Sequence, residues 1–85
     1  MSKNNFQRTE ERAIYQAIGR RIRTEREELG FTQDDLAHEV EMLRTSITNI
    51  EAGRQRLPIY VLYRIARALG VSVEYLLSGR ERISA

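Results

Sequence analysis

Residues 33–53 read Gln33-Asp34-Asp35-Leu36-Ala37-His38-Glu39-Val40-Glu41-Met42-Leu43-Arg44-Thr45-Ser46-Ile47-Thr48-Asn49-Ile50-Glu51-Ala52-Gly53, and they spell two short helices joined by a three-residue turn. At 100° per residue, Ile47, Ile50 and Glu51 of the second helix fall on one face and Thr45, Thr48, Asn49 and Ala52 on the other, with Arg44 and Ser46 at the edges. The outward face is small, polar and rich in hydrogen-bonding groups. A merely solvated face would carry Lys, Glu and Gln, which favour helix; Thr and Asn cost helix propensity and need another reason to be there. Pairing with donors and acceptors on DNA base edges is such a reason.

Working outward, Thr32 is placed to cap the first of these helices with Asp35 in the capping-box position, and Leu36, Ala37 and Val40 supply its buried face. Upstream, Thr9 followed by Glu10 and Glu11 reads as a helix start and Gly30 as a stop, giving a first helix from about Glu10 to Leu29. Its inward stripe is Ile14, Ile18, Ile22, Arg26 and Leu29. Downstream, Gly53 ends the third helix and the loop Arg54-Gln55-Arg56-Leu57 leads to Pro58, a good opening residue for a fourth. That helix is expected to bury Ile59, Leu62, Ile65, Ala66 and Leu69 before stopping at Gly70. Ser72 then caps a short fifth helix ending near Gly79. Connections are short and strand signals weak, so the expectation is an all-α bundle with one core over residues 14–79. Residues 1–13 form an extension running into the first helix, and 80–85 a flexible tail.

Arg26 and Glu51 both lie on inward faces without a local partner. Burying either charge alone would cost several kcal/mol, so the economical expectation is an ion pair that clamps the first helix to the third.

With 85 residues there is room for one domain, burying roughly 60 to 65% of its unfolded surface. The absence of cysteine and the single histidine, His38, leave zinc and thiol chemistry without ligands, so no metal, cofactor or small-molecule ligand is expected. Glu25, Glu27, Glu28, Asp34, Asp35, Glu39 and Glu41 read as a solvated face rather than acid–base machinery, which needs a cleft and shifted pKa values. An enzyme has no residues to support it. No apolar run approaches the ~18 residues of a membrane span, and Met1 to Phe6 lack a signal peptide's apolar core, so no membrane partner and a cytoplasmic location are expected. Net charge is only +2, yet residues 1–24 sum to +4, 25–42 to −6, 43–53 to zero and 54–85 to +4. Thirteen of the fourteen basic residues are arginine, the side chain suited to forked contacts with phosphate or guanine.

The order of helices, Gln33 after the Thr32 cap, the polar face of the third helix, the Ile50-Glu51-Ala52-Gly53 segment and the run Ile65-Ala66-Arg67-Ala68-Leu69-Gly70-Val71-Ser72 together resemble the Cro/C1-type (XRE) helix-turn-helix repressors. Arg44-Thr45-Ser46 also resembles the recognition-helix start of restriction-modification controller proteins. The resemblance spans about residues 17–79. It implies a compact five-helix, lambda-repressor-like DNA-binding domain with the helix-turn-helix at helices 2 and 3. By position it implies base contacts in the major groove from Arg44, Thr45, Thr48 and Asn49, and backbone contacts from Gln33, Ser46, Arg54 and Arg56. Arg26 and Glu51 match the family's buried ion pair. Two departures stand out. Family members commonly have Gly-Val-Ser where this chain has Glu41-Met42-Leu43, so a left-handed residue lacks its glycine and the third helix its cap. Some phage repressors place a minor-groove arginine just after the proline; here Ile59 stands there, leaving Arg56 to act instead or no minor-groove contact.

These residues point to a regulator, a repressor or controller, that binds a palindromic operator in double-stranded DNA as a homodimer. Val73, Tyr75 and Leu77 are dimer-interface candidates, with Tyr60 or Tyr63 beside them, or they complete the core. Lys3, Arg8 and Arg12 fit a dimer contact, an arm along DNA or a frayed end equally. A protein-interaction module such as an antitoxin or coactivator is the alternative, separable by salt: a DNA binder loses affinity steeply as salt rises.

Overall fold

The computed structural model describes the backbone of residues 2–80 and the side chains of residues 8–80. Among them are five helices, α1 (Ser2–Glu28), α2 (Gln33–Glu39), α3 (Arg44–Glu51), α4 (Ile59–Leu69) and α5 (Val73–Ser78), and no strand. The all-α five-helix expectation holds. Ile18, Ile22, Leu36, Val40, Ile47, Ile50, Leu62, Ile65, Leu69 and Leu76 meet in one core to which every helix contributes. The last residues of the expected tail, 81–85, and the side chain of Lys3 lie outside the described residues.

Helix starts and stops follow local chemistry. Thr32 Oγ1 accepts the Asp35 N–H at 3.0 Å and Asp35 Oδ2 accepts the Thr32 N–H at 2.8 Å, closing the anticipated capping box. Hydrogen bonding from the Thr32 backbone, then from its hydroxyl, holds the Asp35 carboxyl below its ordinary range. Ser72 Oγ accepts the Tyr75 N–H at 2.9 Å to open α5. Glu41 takes up the left-handed conformation, φ 58°, that the missing glycine implied. Leu43, at the N-cap of α3, makes no side-chain cap.

The first helix departs most from expectation. It starts at Ser2, so Thr9 is an interior residue rather than a cap. At 1.5 Å per residue its 27 residues span about 40 Å, matching the molecule's longest dimension of 42 Å. The shorter helices pack along only part of that length. Ile18, Ile22 and Arg26 are accordingly buried, whereas Ile14 and Leu29 at the ends of the stripe are 47% and 49% exposed. Periodicity finds the correct face but not where the neighbours end. Ile59 likewise stands 77% exposed in the first turn of α4, and Val61 takes the core position instead.

Glu25 is a further correction: it is buried at 5% exposure, not part of a solvated acidic face. It faces α5, where the Tyr75 hydroxyl donates to Glu25 Oε2 at 3.0 Å. Beside it, Arg21 Nη1 donates to the Leu76 and Leu77 carbonyls at 2.9 and 3.2 Å, satisfying acceptors at the C-terminal end of α5.

Gly19 sets how closely α1 approaches α3. A Cβ there would press into the carbonyl oxygens of Ile50 and Glu51, so the two helices touch backbone to backbone. A glycine inside a helix costs about 1 kcal/mol relative to alanine, and this contact is what it permits.

Candidate nucleic-acid interface

The inner face of α3 is sealed by Ile47 and Ile50, both fully buried, and by Glu51. Glu51 receives Arg26 as a fork: Nε to Oε2 at 2.6 Å and Nη2 to Oε1 at 3.1 Å. The third arm of the guanidinium, Nη1, donates to the Phe31 carbonyl at 2.6 Å. The Glu51 hydrogen bond, and its charge, raise the Arg26 pKa above the ordinary arginine value despite burial. The clamp between α1 and α3 is therefore present, and it also ties down the segment leading into α2.

From Glu51 the bonding continues outward. Gln33 Nε2 donates to Glu51 Oε1 at 3.1 Å, and Thr48 Oγ1 donates to Gln33 Oε1 at 2.8 Å. The Thr48 hydroxyl also lies 3.1 Å from the Arg44 carbonyl, but its one hydrogen serves a single acceptor at a time. A chain of four side chains thus runs Arg26–Glu51–Gln33–Thr48, from the core to the rim of α3. Gln33 is the first residue of α2, where the helix dipole favours an anion. Thr48 itself is half-buried.

On the outer face Arg44 and Thr45 are exposed, and Ser46, Thr48 and Asn49 are half-buried. None is enclosed. Arg54 and Arg56 follow in the α3–α4 loop, both exposed. Arg54 Nη1 lies 3.4 Å from Asn49 Oδ1, a long hydrogen bond that couples loop to helix. Arg56 instead reaches back to α1, with Nε 2.6 Å from Glu11 Oε2 and Nη2 3.0 Å from Glu11 Oε1. The Glu11 hydrogen bond raises the pKa of this guanidinium. Gly53, at φ 74°, lets the loop lie against Gln16 of α1, where a Cβ would meet the Gln16 backbone and Cγ within 3 Å.

The dimer-interface candidates divide. Val73 and Tyr75 are half-buried against the core, and the Tyr75 hydroxyl is engaged by Glu25. Leu77 is exposed and lines an apolar groove of about 360 Å³ with Ile14, Leu57, Ile59 and Leu62. Tyr60 and Tyr63 lie on α4, each beneath an arginine of its own helix: Arg64 over Tyr60 at 5.3 Å and Arg67 over Tyr63 at 5.8 Å.

Sequence reasoning reached Arg26, Glu51, Gln33 and the α3 face, but missed that Gln33 and Thr48 are bonded to each other through to the ion pair. Nothing in their spacing reveals this, because the contact depends on the angle between α2 and α3. Gly19 was discoverable, since a mid-helix glycine asks for a close neighbour.

Two short helices docked on one core, the second offering a polar face to solvent, define a helix-turn-helix DNA-binding domain. The chain belongs to the helix-turn-helix family HTH_3 of Cro/C1-type transcription regulators, whose profile matches residues 22–76. Over 49 residues it is 47% identical to an uncharacterized HTH-type transcriptional regulator of Methanothermobacter thermautotrophicus, covering 58% of this chain and 71% of that protein. The structure of the restriction-modification controller protein C.AhdI from Aeromonas hydrophila superposes with a TM-score of 0.72 at 25% identity, over 75% of this chain and 97% of that one. SinR of Bacillus subtilis, a master regulator for biofilm formation solved in complex with DNA, superposes at 0.67 with 34% identity, over 72% of this chain and 98% of that one. Family and fold are those of DNA-binding regulators, not of enzymes. Among the described residues no helix is long and apolar enough to cross a membrane.

Proposed function

We propose that this protein is a sequence-specific regulator of transcription, a repressor or controller, that binds a palindromic operator in double-stranded DNA as a homodimer in the cytoplasm. The observation that carries the reading is the outer face of α3. Arg44, Thr45, Thr48 and Asn49 stand open on a helix whose opposite face is fixed by Ile47, Ile50 and the Arg26–Glu51 pair. In the major groove Arg44 is suited to the two acceptors of guanine, Asn49 to adenine, and the threonine methyls to thymine. Gln33, Ser46, Arg54 and Arg56 take the backbone on either side, fixing register without reading sequence.

One such module covers few base pairs. Useful affinity calls for two copies on half-sites about one helical turn, ~34 Å, apart. Leu77, exposed beside Ile14 and Ile59, is the candidate best placed to meet a second copy; Val73 and Tyr75 are half-buried against the core.

Random-site selection with the purified chain tests the proposal, because it returns motif, symmetry and spacing together. A palindromic consensus whose binding weakens steeply with salt is the expected result. Absence of any enriched duplex, with a protein partner bound independently of salt, would identify an interaction module instead.

A further inference from the structure

The first half of α1 lies outside the segment matched by the family profile, and it bears a surface that the α3 face does not account for. Arg8, Glu11, Arg12, Tyr15 and Gln16 follow the i, i+3, i+4, i+7, i+8 spacing of one helical face. Together with Ala52, Gly53, Arg54, Gln55 and Arg56 they line an open cleft of about 490 Å³. Four arginines face one carboxylate there, so the cleft is strongly positive. Glu11 is occupied by Arg56, while Arg8 and Arg12 are exposed and have no ion-pair partner among the described residues.

We infer that this cleft is a second DNA-backbone site, in which Arg8 and Arg12 of α1 join Arg54 to hold phosphodiester groups beyond those flanking the recognition helix. The inference rests on the DNA-binding reading above. Its first support is continuity: Ala52 and Arg54 line the cleft, Ala52 lies on the outer side of α3, and Arg54 touches Asn49. A backbone strand leaving the groove at the C-terminal end of α3 meets the cleft next. Its second support is position held by contact. The packing of Gly53 on Gln16 holds this part of α1 against the loop, so the two arginines sit at a set place relative to α3 rather than on a loose arm. Arginine also suits the ligand, since its fork matches the phosphate oxygens.

Glu11 has a defined part in this arrangement. It draws Arg56 into the cleft wall and places a negative charge where phosphate would approach, so it limits non-specific affinity. Removing its charge should strengthen binding to any duplex, the opposite of what a purely structural residue would do.

The test is the salt dependence of binding to the selected operator and to a random-sequence duplex, with the full chain. Arg8→Gln/Arg12→Gln is expected to lower the log–log salt slope by about 1.8, at about 0.9 per phosphate contact, on both duplexes, and to weaken binding roughly eight-fold per contact at 0.1 M salt. Sequence preference and melting temperature should not move. Arg64→Gln/Arg67→Gln removes the same charge from α4 and should leave the slope unchanged. Glu11→Gln should raise affinity for both duplexes. A wild-type chain that binds its operator steeply, while Arg8→Gln/Arg12→Gln keeps the wild-type slope or the α4 control loses as much, overturns the inference and spares the regulator reading. A wild-type chain that binds no duplex overturns both.

Discussion

Among the described residues, Arg26–Glu51 and Arg56–Glu11 both join α1 to a later part of the protein, and they differ in almost every respect except chemistry. Arg26–Glu51 is buried, bidentate, and continued by Phe31, Gln33 and Thr48 until each polar atom is bonded. Arg56–Glu11 is equally short, yet the Arg56 side chain is 77% exposed. Water and salt screen the second pair and hardly reach the first. The same pair of residue types therefore fastens α3 to α1 at one site and tunes surface charge at the other. A short distance alone does not tell structure from function; burial and the partners' remaining bonds do.

The largest effect expected from breaking this contrast is Glu51→Ala. It strands the Arg26 guanidinium in the core and should cost ~3 to 5 kcal/mol, seen as a melting temperature lowered by more than 10 °C before any DNA is added, at roughly 4–8 °C per kcal/mol for a domain this size. Glu11→Ala should barely move the melting curve, and any movement should vanish in high salt. Equal losses for the two variants would erase the distinction. Next comes Gly19→Ala, whose added methyl meets backbone carbonyls that cannot swing aside; a loss of about 1–3 kcal/mol is expected from overpacking, with α3 displaced and DNA preference blurred. Wild-type stability in that variant would show that the close approach of α1 to α3 is not needed.

Smaller changes sharpen the picture of the turn. Glu41→Gly replaces a left-handed glutamate with the residue that adopts φ 58° freely, so chemical denaturation should reveal a gain of about 1 kcal/mol. Smallest is the pH response of the α2 cap. Because folding lowers the Asp35 pKa, its contribution is complete above the unfolded value of about 3.9 and is lost as pH falls through the lower folded value. Thr32→Ala should flatten that component of an acid titration of stability; an unchanged acid limb would remove the cap from the account.

Much of this was legible because the α2–α3 unit is governed by near neighbours in sequence. Thr32 and Asp35 meet across a single turn, and the faces of α3 follow from helical period alone. Arg26 and Glu51 could be paired at a distance because two inward charges have few ways to be satisfied. Ile14, Leu29 and Ile59 were misplaced for the opposite reason: each continues a correct apolar stripe, but its burial depends on whether another helix extends that far. Glu25 reads as a surface acid from its neighbours in sequence because the hydroxyl that donates to it, on Tyr75, is fifty residues away. The Gln33–Thr48 bond was hidden for a subtler reason, as both residues had an outward role to explain them. The helical start of α1 before Thr9 overrode a plausible cap, an instance of local signals outvoted by the continuing chain.

The central claim is that the open face of α3 reads bases while the arginines of the loop after it hold backbone. Site selection repeated with Asn49→Ala and Arg54→Ala, each checked for an unchanged melting temperature, tests it most directly. The account predicts that Asn49→Ala loses information at defined positions of the motif yet keeps its affinity for random duplex, while Arg54→Ala returns the wild-type motif with uniformly weaker binding and a salt slope lower by about one. A shifted motif from Arg54→Ala, together with an intact one from Asn49→Ala, would contradict it.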